Sequence, residues 1–107
     1  MVVERLRDRM KREMDLRGFR PRTQRAYLRV CRKMSEYFGC SPMRLGSEDV
    51  KRYVHHLIVG RKLSSSTVNV VVSGLRVLFG AVLGREEVCA SLPRRKRERR
   101  LPEVLSV

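Results

Sequence analysis

The residues that most often do chemistry are few in this chain and poorly placed for it. His55 and His56 are adjacent. On a helix such neighbours point about 100° apart, so they can neither share a metal ion nor serve one nucleophile together. Cys31, Cys40 and Cys89 are an odd set without Cys-x-x-Cys spacing, which suits neither a zinc site nor a disulfide framework; they read as reduced cytosolic thiols. No two carboxylates form an inward-facing pair, no glycine-rich phosphate loop is present, and no serine stands in a nucleophile turn. The expectation is a chain with no catalytic residues, metal or cofactor of its own.

Charge is the stronger signal. The 107 residues include 25 Lys or Arg against 11 Asp or Glu, a formal net charge of +14. By count 20 of those cations are arginine, the side chain that grips phosphate in two-pronged fashion as well as neutralising it. Nucleic acid is the partner this implies. A hydrophobic share of 42% argues against a disordered basic tail, and the length suits one modest core. The N-terminal stretch carries acids and lacks the apolar run of a secretory signal, so no export is expected. The apolar stretch from Val68 to Gly84 is interrupted by Asn69, Ser73 and Arg76 and is short for a bilayer span.

Periodicity places the charges on helices. Val3, Leu6, Met10 and Met14 line one face of a first helix that Gly18 stops, with Asp8–Arg12 and Glu13–Arg17 as i,i+4 pairs. A second helix opens at Pro21 and runs to Phe38 before Gly39, with Tyr27, Val30, Cys31, Met34 and Phe38 inward. Cys40 to Gly46 is a connector with room for one helical turn. Ser47 is the expected cap of a third helix, which carries Val50, Tyr53, Val54, Leu57 and Ile58 on its buried face and ends at Gly60. The Ser64–Thr67 run offers caps for a fourth helix reaching about Leu83. That helix is apolar nearly all round, as a central helix is. The valines at 68–72 raise a strand alternative, but the three-and-four spacing persists beyond them.

Three features suit binding. Arg22, Ala26, Arg29 and Lys33 fall on the outer side of the second helix, a cationic stripe around one small residue. Alone, such a stripe is as often a solvated face. Lys62 and the hydroxyls of Ser65, Ser66 and Thr67 lie at the start of the fourth helix, a good seat for phosphate if they are more than a cap. Ser66, Asn69, Ser73, Arg76 and Gly80 form that helix's narrow polar strip. The run from Arg94 to Arg100, with Arg94, Arg95, Lys96 and Arg97 at its head, lies between Pro93 and Pro102 and reads as a linker lying along a polyanion. An α-helix fits the DNA major groove, so cations supply affinity while Asn69, Ser66 and Arg76 are candidate base readers.

These residues together resemble a known family. Leu16-Arg17-Gly18-Phe19, Pro21-Arg22-Thr23 and Ala26-Tyr27 come first. Leu45, Ser47-Glu48-Asp49-Val50 and Tyr53 follow, then Ser64-x-x-Thr67-Val68-Asn69, Ser73-x-Leu75-Arg76, Phe79, and Leu101-Pro102-Glu103-Val104-Leu105-Ser106. The order and spacing are similar to the N-terminal core-binding domain of tyrosine recombinases, the phage integrases. The resemblance implies an all-α, SAM-like bundle of four or five helices that forms one jaw of a clamp on double-stranded DNA. It implies Arg22, Thr23, Thr67 and Asn69 at the DNA. Departures are Arg20 where a serine cap is usual and Val70 where a base is frequent. The family's catalytic set, including His-x-x-Arg and the nucleophilic tyrosine, has no counterpart, and Tyr27, Tyr37 and Tyr53 read as helix-face residues.

The resulting expectation is a DNA-binding domain at 1–90 and a basic linker with the start of a catalytic domain at 91–107. By itself it is no enzyme. It would partner with duplex DNA and with the catalytic domain of the same recombinase, oligomerise only on DNA, and be cytoplasmic, nucleoid-associated and membrane-free. The competing readings are a stand-alone architectural accessory of a mobile element and a basic helical module for membranes or proteins.

Overall fold

Glycine and proline cut the chain into helices, and the computed structural model, which describes residues 5–92, shows where each cut falls. Helix α1 spans Leu6–Leu16 and α2 spans Pro21–Phe38. Gly18 and Gly39 follow them with φ of 75° and 70°, the left-handed conformation in which glycine ends a helix without a Cβ penalty. Pro21 occupies the first turn of α2, where its missing N–H costs nothing. A 3-10 turn at Pro42–Arg44 fills the connector.

Helix α3 spans Ser47–His55 and continues as a π-helical turn over His56–Gly60. Its cap differs from the expected one: Gly46 is the N-cap, and its N–H donates to Asp49 Oδ2 at 2.9 Å, while Ser47 already lies in the helix. Helix α4 spans Ser65–Arg76 and likewise ends in a π turn, Val77–Val82. The valine run is therefore helical, and no strand occurs among the described residues. A last 3-10 turn at Glu86–Val88 leads to Leu92.

Contacts fix the helix directions. Cys31 Sγ lies 3.2 Å from Met10 Sδ, and Gln24 Nε2 donates to Asp15 Oδ1 at 2.9 Å, so α2 runs opposite to α1. Arg9 donates to the Val82 carbonyl at 2.9 Å, and Arg17 shares a cavity with Arg76 and Val77, so α4 also runs opposite to α1. Helices α2 and α4 consequently point the same way. They touch closely because position 74 is glycine: a Cβ there would lie 3.3 Å from Tyr27 Cδ1 and 3.4 Å from Val30 Cβ.

The core gathers Met10, Met14, Met34, Val50, Val68, Val72, Leu75, Leu78 and Phe79, all essentially inaccessible. Val88, Cys89 and Leu92 close it from the C-terminal side, so packing continues at least to Leu92. By length and composition alone the 18 residues Ser65–Val82, mean hydropathy 1.4, suffice to cross a bilayer. In this fold the stretch is the central helix, with α1 and α2 packed against it.

Candidate nucleic-acid interface

Because α2 and α4 are parallel, their first turns lie at the same end of the bundle. Gly74 meets α2 between Tyr27 and Val30. Two turns back along each helix, roughly 10 Å, are Thr67 on α4 and Arg22 on α2. The positive ends of both helix dipoles therefore face one side, where anions are favoured.

Each first turn is built differently. Arg20 is the N-cap of α2 and makes no side-chain cap hydrogen bond; its carbonyl accepts from the Gln24 N–H at 3.0 Å, and the amides of Arg22 and Thr23 precede the intrahelical ladder. At α4, Ser64 Oγ accepts from the Thr67 N–H at 3.2 Å and donates to Thr67 Oγ1 at 3.0 Å. The Ser64–Thr67 run thus serves as a cap, and the first-turn amides of Ser65 and Ser66 remain outside the intrahelical ladder. Ser66 and Thr67 are exposed, Ser65 half-buried. Lys62, in the turn before them, is exposed and has φ of 53°, left-handed backbone in a residue with a Cβ.

The outer stripe of α2 is where periodicity puts it. Arg22, Arg29 and Lys33 are exposed, and Thr23 and Ala26 half-buried. Between Pro21 and Ser35 the helix holds no acid; its one carboxylate, Glu36, lies 3.8 Å from Arg32. On α4, Asn69 and Ser73 are half-buried, level with the rising helix, and Arg76 is exposed but engaged: its Nη2 donates to the Leu92 carbonyl at 2.7 Å. Arg94, Arg95, Lys96 and Arg97 lie outside the described residues.

Sequence reasoning missed part of the basic surface. Arg7 from α1 and Arg25, Arg29 and Arg32 from α2 line an open cavity of about 740 Å³ floored by Leu28 and Leu78. Arg29 belongs to the expected stripe; Arg25 and Arg32 flank it at four and three residues, a periodic signal that the adjoining core stripe of α2 obscures. Gln24 was also missed. It is the one buried polar side chain among the described residues, donating to Asp15 and to the Phe19 carbonyl at 3.0 Å. Its amide, together with Lys11, holds the Asp15 carboxyl below its usual range.

Several side chains of types that elsewhere do catalysis pack into this fold. Tyr37 packs against Tyr53 and His56, with ring centroids 5.1 and 5.0 Å away. Tyr27 meets Phe19 edge to face at 5.9 Å. Burial pushes the Cys31 thiol up to about 12 and that of Cys89 to about 11, far from the range of a nucleophilic thiolate. Among the described residues no three His, Cys, Asp or Glu side chains gather as a metal site.

Residues 6–87 match the family described as phage integrase, N-terminal SAM-like domain. The chain is 36% identical over 107 residues to "Putative integrase/recombinase y4qK" of Sinorhizobium fredii (strain NBRC 101917 / NGR234), covering 99% of this chain and 35% of that protein. The chain thus spans about a third of the relative's length. No solved structure matches it.

Proposed function

Since the chain belongs to the phage integrase family as its N-terminal SAM-like domain, we propose that it grips duplex DNA during site-specific recombination, with α2 and α4 against the major groove. The observation that carries this reading is the end of the bundle shared by the first turns of α2 and α4, with Arg22 in one, Lys62 just before the other, and no acid within residues 21–35 or 65–82. Arg22, Arg29, Lys33 and Lys62 neutralise phosphates, while Thr23, Ser66, Thr67, Asn69 and Ser73 are close enough to the axis of approach to touch base edges. Ala26 keeps the α2 stripe low, so the backbone can come near.

In this reading strand cleavage belongs to a catalytic domain of the same recombinase, joined through the basic segment 91–107, and protomers meet only on DNA. The site of action is then the nucleoid.

The test is duplex affinity against salt. Each phosphate contact contributes a slope of about 0.9 in log K against log salt. Arg22→Ala and Arg29→Ala should each flatten the slope by roughly one unit. Slopes unchanged in both variants would remove α2 from the interface. Binding to anionic vesicles with none to duplex DNA would replace the reading altogether.

A further inference from the structure

Five large apolar side chains are exposed among the described residues: Leu16, Tyr37, Met43, Val59 and Val70. Leu16 is the last residue of α1, Met43 lies in the connector and Val59 in the π turn that ends α3, while Tyr37 packs on the rings of Tyr53 and His56. Val70 alone stands inside α4. It is 43% exposed, whereas Val68 and Val72 on either side of it are fully buried, so the core does not need it. Nor does the helix, because β-branching lowers helix propensity and an exposed side chain returns little burial.

The surroundings of Val70 on α4 leave its methyls uncovered. On a helix surface the neighbours of a residue are three and four positions away, here Ser66, Thr67, Ser73 and Gly74. None is larger than threonine, so the valine is the tallest side chain of that patch. In a helix its χ1 is held to essentially one rotamer, so both methyls are presented rigidly and lose little entropy when something packs on them. The side chain neither donates nor accepts a hydrogen bond. Over most base edges it would strip water from donors and acceptors and return nothing. The major groove offers one apolar group, the C5 methyl of thymine.

We propose that Val70 is a specificity-determining residue that packs against a thymine C5 methyl in the major groove, with Ser66 and Ser73 on either side of it. This rests on the reading of α4 as a groove-facing helix. An uncharged contact releases no counterions, so the preference for thymine is independent of salt even though the affinity is not.

The test is titration of the full chain against two pairs of duplex polymers. An alternating A·T polymer differs from its A·U counterpart, and an alternating G·C polymer carrying 5-methylcytosine from the plain one, by the C5 methyl alone. The parent should bind the methylated member of each pair about fourfold tighter, the effect of burying one methylene-sized group, with the same ratio at low and high salt. Val70→Ser should bring both ratios to one without changing the salt slope or the melting temperature. Val70→Thr, which keeps one methyl, should fall between. Equal affinities within both pairs, in a parent that binds duplex, would overturn the proposal and leave the DNA-binding reading standing. A ratio that survives Val70→Ser overturns it too, since another residue then reads the methyl. Preference in the A·T pair only would trace to duplex shape and count against it in the same way. If Val70→Ser melts well below the parent, the side chain is part of the packing and the proposal fails. Absence of duplex binding in the parent would sink the reading of α4 first and this contact with it.

Discussion

Lys62 concentrates two opposing demands in one residue. Its φ of 53° costs an L-residue roughly 1 kcal/mol, while its ammonium sits in the turn that delivers α4 to the proposed interface. Asparagine tolerates that conformation and carries no charge. Lys62→Asn should therefore raise stability to urea by up to about 1 kcal/mol and at the same time flatten the salt slope of duplex binding by roughly one unit. A variant both less stable and equally salt-sensitive would show that the turn is shaped for packing alone. The thiols make a second residue-scale prediction. Cys31 and Cys89 are held protonated by burial, with values pushed to about 12 and about 11, above the ordinary 9.0 that applies when the chain is unfolded. Between those limits the unfolded state loses the protons first, so stability is full below pH 9 and declines as pH rises through the folded values. The slope is at most about 1.4 kcal/mol per pH unit for each thiol. Cys31→Ala should make the decline between pH 9 and 11 shallower in urea titrations; an unaltered decline would assign the alkaline loss to other groups.

At the scale of elements, what the sequence showed and what it hid divide along a physical line. The boundaries of α2 could be read from Pro21 and Gly39 because both act locally, through φ and a missing donor. The stripe Arg22, Arg29 and Lys33 was equally legible, since periodicity alone sets it. The cap of α3 was misread because Ser47 and Gly46 are both acceptable caps, and the choice is made by Asp49 reaching back to the Gly46 N–H. The π turns were invisible. Both end a helix whose apolar residues alone would continue a regular 3.6-residue repeat, and the turn at Val77–Val82 carries the fully buried Leu78 and Phe79. Gly74 was counted within a helix without a role, yet it lets α2 and α4 approach. Replacing it by alanine recovers helix propensity but presses on Tyr27 and Val30, so the two effects partly offset. Valine adds bulk without that recovery, and Gly74→Val should destabilise the domain by about 1–3 kcal/mol. A melting temperature equal to that of the parent would mean that the helices do not meet at this residue.

For the whole molecule, the question is whether the charge is a property of the packed bundle or of the segment beyond it. Folding does not require most of these cations. The core is apolar, and ion pairs such as Lys11 with Asp15 at 3.0 Å and Arg17 with Glu13 at 3.5 Å are short-range surface contacts of little energetic weight. The net charge instead opposes compaction through self-repulsion, a cost that binding a polyanion would relieve. Arg94 to Arg100 contains six cations and one acid, so deleting it takes the formal net charge from +14 to +9. Leu92, the last buried anchor among the described residues, precedes the deletion. The shortened chain should consequently melt within about 2 °C of the parent, less than the shift that 1 kcal/mol produces in a domain of this size. Its duplex affinity should fall steeply at low salt and converge on that of the parent at high salt, since the lost contacts are counterion-releasing ones. Retention of the full salt slope would place all of the binding charge on the bundle, whereas a markedly lower melting point would show that the segment packs against it.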